Sequence, residues 1–268
     1  LKEEDVVEKL FIASTLSHLL VFTSTGKIHW LRVFSIPDVS RIAKGKSIAN
    51  LLRLQPGESI ASILSVREFE EDKFVMVATE RGIVKKTSLM AYSKPRQGGI
   101  IGLTIDDGDR VIGAELCDGE SDILLATAKG FSIRFPEKEV RPIGRTGRGV
   151  RGIRLKKEDQ VVGAEIVHPG NKLLTVTSRG YGKRTLMEEY PVQGRGGLGV
   201  MTIRCNEKIG TVVGVQQVDE SDQLLVITSD GNIVRMRVNE ISLIGRNTQG
   251  VRLVGIGEGN QVVSIEKL

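Results

Sequence analysis

Two cysteines, Cys117 and Cys205, are too few for a disulfide framework, and they fit free thiols in a reducing cytoplasm. No apolar run approaches the roughly 20 residues that a membrane helix needs. The opening LKEEDVVEKL has neither an initiator Met nor a signal-peptide pattern, as expected of a domain cut from a longer protein. Aromatics make up only 4% of residues and Trp30 is the sole tryptophan, so base stacking on single strands is a poor reading. The same scarcity excludes WD40 blades, which need Trp-Asp signatures, and kelch blades, which need aromatics after Gly-Gly. There is no convincing amphipathic helix. The weak candidate is SRIAKGKSIANLL, residues 40–52. At 268 residues the chain can bury a sizeable core, and 40% apolar with 26% charged residues is an ordinary globular balance.

Catalytic constellations are missing too. Tyr92, Tyr181 and Tyr190 lie in no setting that would make a strand-cleaving nucleophile. His18, His29 and His168 have no Cys or His partner at ligand spacing. DDGD at 106–109 lacks the other ligands of a calcium loop and reads as turn chemistry. GRTGRGVRG at 144–152 lacks the Gly-Lys-Ser/Thr ending of a nucleotide loop. No catalysis, metal or cofactor is expected of this chain alone.

What is present is a repeat. A Ser/Thr-rich turn recurs as FTSTGKI, ATERGIV, ATAKGFS, TSRGYG and ITSDGNIV, with Gly26, Gly82, Gly130, Gly180 and Gly231 spaced 56, 48, 50 and 51 residues apart. Glycine supplies positive φ between β-branched runs, the mark of a tight hairpin. After the last turn Val234, Met236 and Val238 alternate with Arg235 and Arg237, a half-exposed strand. Each turn is followed by a glycine box: AKGKSI, RQGGIIGL, GRGVRGIRL, GRGGLGVM and TQGVRLV. An outgoing strand with an acidic lead-in comes next: GESIASI, GDRVIGAEL, EDQVVGAEI, NEKIGTVVGV and GNQVVSI. EEDVVEKLFIAS at the start matches that outgoing strand as well. The expectation is an all-β, propeller-like single domain over 1–268. Residues 1–15 would end a first blade, and repeats would fall near 16–68, 69–118, 119–168, 169–219 and 220–268, six blades in all.

Charge follows the repeat. The segments from turn to box (26–54, 82–103, 129–157, 179–204 and 231–252) hold 29 of the 38 Lys and Arg but 6 of the 33 Asp and Glu, a net of +23; the remainder carries −18. In a radial fold the five basic segments form a band suited to the phosphates of duplex DNA, read through its backbone with little regard to sequence. The candidate contacts are Lys27, Lys44, Lys46, Lys85, Lys86, Arg96, Lys129, Arg134, Arg145, Arg148, Arg151, Arg179, Lys183, Arg184, Arg195, Arg235, Arg237, Arg246 and Arg252. The box glycines serve either close approach to phosphate or tight corners between blades, and the two roles are compatible. A platform for an acidic protein partner is the competing reading.

Turn, box and GAE strand, repeated at about 50 residues, resemble the C-terminal domain of the type IIA topoisomerase A subunit, found in gyrase and in topoisomerase IV. The stretch from EEDVVEKLFIAS through LLVFTSTGKIHWLRVFSIPDVSRIAKGKSIANLLRLQPGESI is closest to the gyrase branch. The resemblance covers essentially the whole chain. It implies a β-pinwheel whose blades exchange strands, and double-stranded DNA bent or wrapped on a basic rim in the bacterial cytoplasm. It also implies two further partners: a cleavage domain of the same subunit, which carries the catalytic tyrosine, and the ATPase (B) subunit of an A2B2 holoenzyme. Gyrases carry a first-blade box close to Gln-Arg-Arg-Gly-Gly-Lys-Gly. Here QGRGGLG keeps Gln193, Arg195, Gly196, Gly197 and Gly199, replaces the rest with Gly194 and Leu198, and lies in the fourth full repeat; a first-blade box is expected ahead of Leu1.

Overall fold

The computed structural model of the chain describes residues 13–38, 48 and 51–268. Residues 1–12, expected to close a first blade, and most of the helix candidate at 40–52 lie outside them.

The described residues form five antiparallel sheets. The first holds β1 (His18–Thr23), β2 (Lys27–Arg32), β3 (Ile60–Val66) and a two-residue strand, β6 (Ile100–Ile101), in the order β3-β1-β2-β6. The second has β4 (Phe74–Thr79), β5 (Ile83–Ser88), β7 (Val111–Cys117) and β10 (Val150–Arg151), ordered β10-β5-β4-β7. β8 (Asp122–Thr127), β9 (Phe131–Pro136), β11 (Val161–Val167) and β14 (Val200–Met201) make the third, β11-β8-β9-β14. The fourth, β15-β12-β13-β18, comprises β12 (Lys172–Thr177), β13 (Tyr181–Leu186), β15 (Val212–Val218) and β18 (Val251–Arg252). The fifth has only three strands, β17 (Ile233–Arg237), β16 (Gln223–Thr228) and β19 (Val262–Lys267).

The hairpin of each sheet follows from its sequence. The middle strand is buried after its first residue in all five sheets, which is why runs such as LLVF, VMVA and LLVI are continuously apolar. The turn glycines sit at φ +77 to +81, where a side chain would clash. Acidic lead-ins close the turns: Asp109 Oδ1 accepts from Arg81 N at 2.9 Å, and Asp159 Oδ1 from Lys129 N at 3.0 Å.

In four sheets the edge strand comes from the next repeat. The glycine box of one repeat supplies the two-residue strand that pairs with the preceding hairpin: Val150 opposite Val84, Val200 opposite Ser132, Val251 opposite Gly182. Contacts divide the chain into two compact units. One runs to Glu120 and also takes up Val140–Arg151; the other holds Ser121–Glu139 and Gly152–Leu268. The division inside the third repeat reflects that exchange, because its box joins the second sheet. In the first unit Leu20, Phe22 and Ile28 of one sheet pack on Val75, Val77 and Tyr92 of the next. The other unit repeats this twice, with Leu173, Met187 and Tyr190 in one layer and Leu224, Val226 and Val238 in another.

Candidate nucleic-acid interface

The box glycine that precedes each two-residue strand has positive φ: Gly99 +78, Gly149 +93, Gly199 +74 and Gly250 +74. A Cβ on Gly99, Gly149 or Gly250 would lie 2.8, 2.6 and 2.6 Å from the carbonyl oxygens of Ile28, Val84 and Gly182, and one on Gly199 would meet Ser132 O closer still. These glycines are fixed by the hairpin backbone they touch. Gly194, in contrast, faces open space.

Successive boxes are joined within each unit. Thr104 N, just after one box, donates to Gly147 O of the next at 3.4 Å, and Thr104 Oγ1 to Thr146 O at 2.7 Å. Arg154 N donates to Gly197 O at 2.7 Å and Arg204 N to Thr248 O at 2.8 Å. Gly196 N returns a bond to Gly152 O at 2.6 Å, and Arg246 Nη1 reaches Met201 O at 3.1 Å. The short helical turn of one repeat braces the next box as well: Glu139 Oε2 accepts from Arg195 N at 2.9 Å, and Glu189 Oε2 from Arg246 N at 3.1 Å. Within a unit the boxes are therefore consecutive links rather than separate loops.

The structure sorts the basic candidates. Arg96, Lys129, Arg148, Arg151, Arg179, Arg195, Arg235, Arg237 and Arg252 are exposed; Lys27, Arg134, Arg145 and Arg246 are half-buried. Lys44 and Lys46 lie outside the described residues. Lys85, Lys86, Lys183 and Arg184 are buried, and the expectation that they face phosphate is corrected. Each lies on a returning hairpin strand that the next repeat's box covers, so both faces of that strand are enclosed. Arg184 Nε donates to Ile241 O at 2.7 Å and its Nη1 pairs with Glu220 at 2.6 Å. Arg134 is tied similarly, to Asp122 at 2.8 Å and Met187 O at 3.1 Å. The alternation read after the last turn is observed: Val234 and Met236 pack on the core of that sheet while Arg235 and Arg237 are exposed.

Arg148 is exposed yet not idle. Its guanidinium grips Asp106, with Nε at 2.6 Å from Oδ1, and this bond holds the Asp106 carboxyl below its usual range. Such an exposed pair contributes little stability and exchanges readily for a phosphate. Among the arginines not selected from the sequence, Arg81, Arg154 and Arg204 are exposed at positions equivalent to one another or to a candidate. Arg81 shares its turn position with Lys129 and Arg179, and Arg154 aligns with Arg204, so repeat position was the signal that could have found them.

Tyr92 and Tyr190 are fully buried, and burial pushes both hydroxyls above their ordinary range. Trp30 Nε1 donates to Tyr92 O at 2.8 Å. These tyrosines are packing residues. Among the described residues no helix is long and apolar enough to cross a membrane.

The family described as the DNA gyrase C-terminal domain, beta-propeller, matches residues 17–67, 73–118, 121–168, 171–219 and 222–268, one stretch per sheet. The chain belongs to that gyrase C-terminal domain family. Its fold is all-β and propeller-like, with five blades among the described residues. It is 46% identical over 268 residues to the DNA gyrase A subunit of Salmonella typhimurium, covering 100% of this chain and 30% of that protein. With the DNA gyrase A subunit of Buchnera aphidicola subsp. Acyrthosiphon pisum it shares 51% over 268 residues, 100% of this chain and 32% of that one. The chain thus spans about a third of the length of these relatives. Among solved structures it resembles the C-terminal domain of DNA topoisomerase IV, with TM-score 0.86, 27% identity, and coverage of 95% of this chain and 80% of that one. The DNA gyrase A C-terminal domain matches with TM-score 0.84 at 23% identity, over 98% and 89% of the two chains, a likeness of fold.

Proposed function

We propose that this gyrase-family domain binds double-stranded DNA along its joined glycine boxes and bends it, without regard to sequence and without catalysis of its own. The supporting observation is the linkage of consecutive boxes, with Arg148 and Arg151 exposed on the boxes of one unit and Arg195 and Arg252 on those of the other. Lys129, Arg179, Arg96, Arg235 and Arg237 extend the basic surface, and Lys27, Arg134, Arg145 and Arg246 contribute their exposed portions. Bending a short duplex by 40–90° costs on the order of 1–6 kcal/mol, so several phosphate contacts per blade are needed to offset it. In this reading the domain works in the cytoplasm as part of a type IIA topoisomerase. It presents a DNA segment to a cleavage domain elsewhere in the gyrase A chain, with a B subunit supplying ATP hydrolysis and no cofactor held here.

The three-stranded fifth sheet fits a further blade. Among the described residues the β17 edge lacks the two-residue partner that the other returning strands have, and nothing lies within 4 Å of a Cβ placed on Gly231. A box from another repeat would complete it.

The deciding experiment seals nicked circular plasmid with ligase in the presence of the chain and resolves the topoisomers. A dose-dependent shift in linking number means chiral wrapping. Retardation of short duplexes without a shift means bending alone. Neither at low salt, together with capture of an acidic polypeptide, favours the protein platform. Neutralising roughly ten phosphates gives a log K against log salt slope of about −9, whereas a slope near −2 defeats the reading. Arg148→Glu with Arg151→Glu should weaken binding, while Arg110→Glu, on an arginine paired to Glu80 at 2.7 Å, should leave it within about twofold.

A further inference from the structure

Two of the buried lysines occupy one place in the repeat. Lys85 and Lys183 are each the third residue of a returning strand, 1% and 0% exposed. Lys85 Nζ donates to Gly102 O at 2.6 Å and to Arg145 O. Lys183 Nζ donates to Gly245 O at 2.5 Å and to Arg246 O at 2.6 Å. Arg145 and Arg246 stand four residues before the box glycine of their repeats, and so does Arg195 in the repeat between them.

Burying an ammonium is costly unless its donors are met, and here the acceptors are main-chain carbonyls rather than carboxylates. The fold does not demand a lysine at this place. In the third sheet the same position is Ile133, buried to 1%, with its Cδ1 3.5 Å from where a Cβ on Gly197 of the 194–199 box would stand. What the lysine adds is a hold on the carbonyl of the very arginine that the interface offers to DNA. Fixing that carbonyl limits the φ and ψ from which the guanidinium projects, so less ordering remains to be done when phosphate arrives.

We propose that Lys85 and Lys183 are positioning residues for duplex binding: their ammonium groups clamp the 144–149 and 245–250 loops in the contact geometry, whereas the loop at 194–199 stands over Ile133, which offers no ammonium. The role rests on the duplex-binding reading above. It also separates the boxes that stand over a lysine from the one that stands over Ile133.

The test pairs amide hydrogen exchange with DNA affinity in the wild-type chain and in Lys85→Met/Lys183→Met. Exchange across 144–149 and 245–250 should accelerate at least about tenfold, with 195–198 unchanged as the internal control. Affinity for a 30-base-pair duplex should fall roughly five- to tenfold, and the salt slope should become shallower by about 1–2 as Arg145 and Arg246 lose register. Adding Arg145→Gln/Arg246→Gln to the lysine pair should cost little more than it costs alone, because both changes disable the same contacts. Unchanged exchange overturns the proposal. So does loosening of the loops with wild-type affinity and slope, or penalties that add in full. If the double variant does not fold, the wild-type pH profile decides. Burial, with repulsion from Arg145 added, lowers Lys85 to about 8; burial also lowers Lys183 to about 8, opposed by Glu189 and assisted by Arg246. Exposed lysines stay charged to about pH 10, so affinity should decline between roughly pH 7.5 and 9.5. A flat profile there overturns the clamp. A wild-type chain that fails to retard duplex at low salt overturns the duplex reading itself, and this role with it.

Discussion

The 144–149 and 194–199 loops occupy equivalent places, pair with equivalent hairpins and project equivalent arginines, yet they are held differently. Beneath the first, the Lys85 ammonium bonds Arg145 O of the loop and Gly102 O of the preceding box; beneath the second lies the buried Ile133, which has no side-chain donor. The second is the loop richest in glycine, with Gly194, Gly196, Gly197 and Gly199. Glycine content and clamping are therefore opposite provisions at one position. The loop that most resembles a dedicated DNA box by composition is held through its own backbone instead, Arg195 N donating to Glu139 Oε2 at 2.9 Å and Gly196 N to Gly152 O at 2.6 Å, so one place in the repeat is fixed in two ways.

The comparison breaks most visibly inside the 194–199 loop. Gly199→Ala should cost roughly 3 kcal/mol in denaturant titration, since the residue has φ +74 and its Cβ would run into Ser132 O, whereas Gly194→Ala should stay within about 0.5 kcal/mol. Equal costs would mean that the loop is not pinned at its last glycine. A smaller effect comes from pH. With folded lysines at about 8 and an ordinary value of 10.5, the unfolded chain binds more protons than the fold above pH 8. Stability should therefore rise from pH 8 to 10.5 and level off above that. Lys85→Met/Lys183→Met should remove the rise. Stability and DNA affinity thus move in opposite directions over an overlapping range, which a general loss of structure would not produce.

Side-chain removal sharpens the contrast further. Arg145→Gln should lower duplex affinity roughly threefold, about 0.7 kcal/mol, and Arg195→Gln by less, because no lysine holds its carbonyl. Filter binding at a fixed low salt distinguishes them, and equal losses would erase the difference between loops. The smallest change should come from Ile133→Lys, which offers an ammonium to the unclamped loop. Slower exchange at 195–198, with 144–149 unaffected and stability changed by under about 1 kcal/mol, is the expected outcome.

Much of this architecture was legible in the chain. The turn glycines, the period near 50 and the continuous apolar middle strands each follow from one local requirement, and local requirements can be read locally. The alternation of Val234 to Val238 was legible too, because among the described residues no further strand covers β17 and period two is all that acts on it. The facing of Lys85, Lys86, Lys183 and Arg184 was not. IVKKTS and YGKRTL read as basic strands with a wet face, but a segment 60 residues further on covers them, as Lys85 and Arg145 show. Strand exchange between repeats moves the decisive neighbour far along the sequence, where no window of alternation reaches it. Charge counting therefore found the basic segments but could not say which of their cations point outward.

The borrowed edge strand also bears on how such a chain can change length. Because each repeat hands its box backward and receives one from ahead, a cut between repeats leaves one sheet short and another with nothing to complete. Excising one whole period at matching positions instead joins like to like, since Thr104, Arg154 and Arg204 donate to corresponding carbonyls in the following box. A lineage could thus shorten or extend this domain one blade at a time by recombination between its own repeats, each step preserving every interlock except those at the two ends.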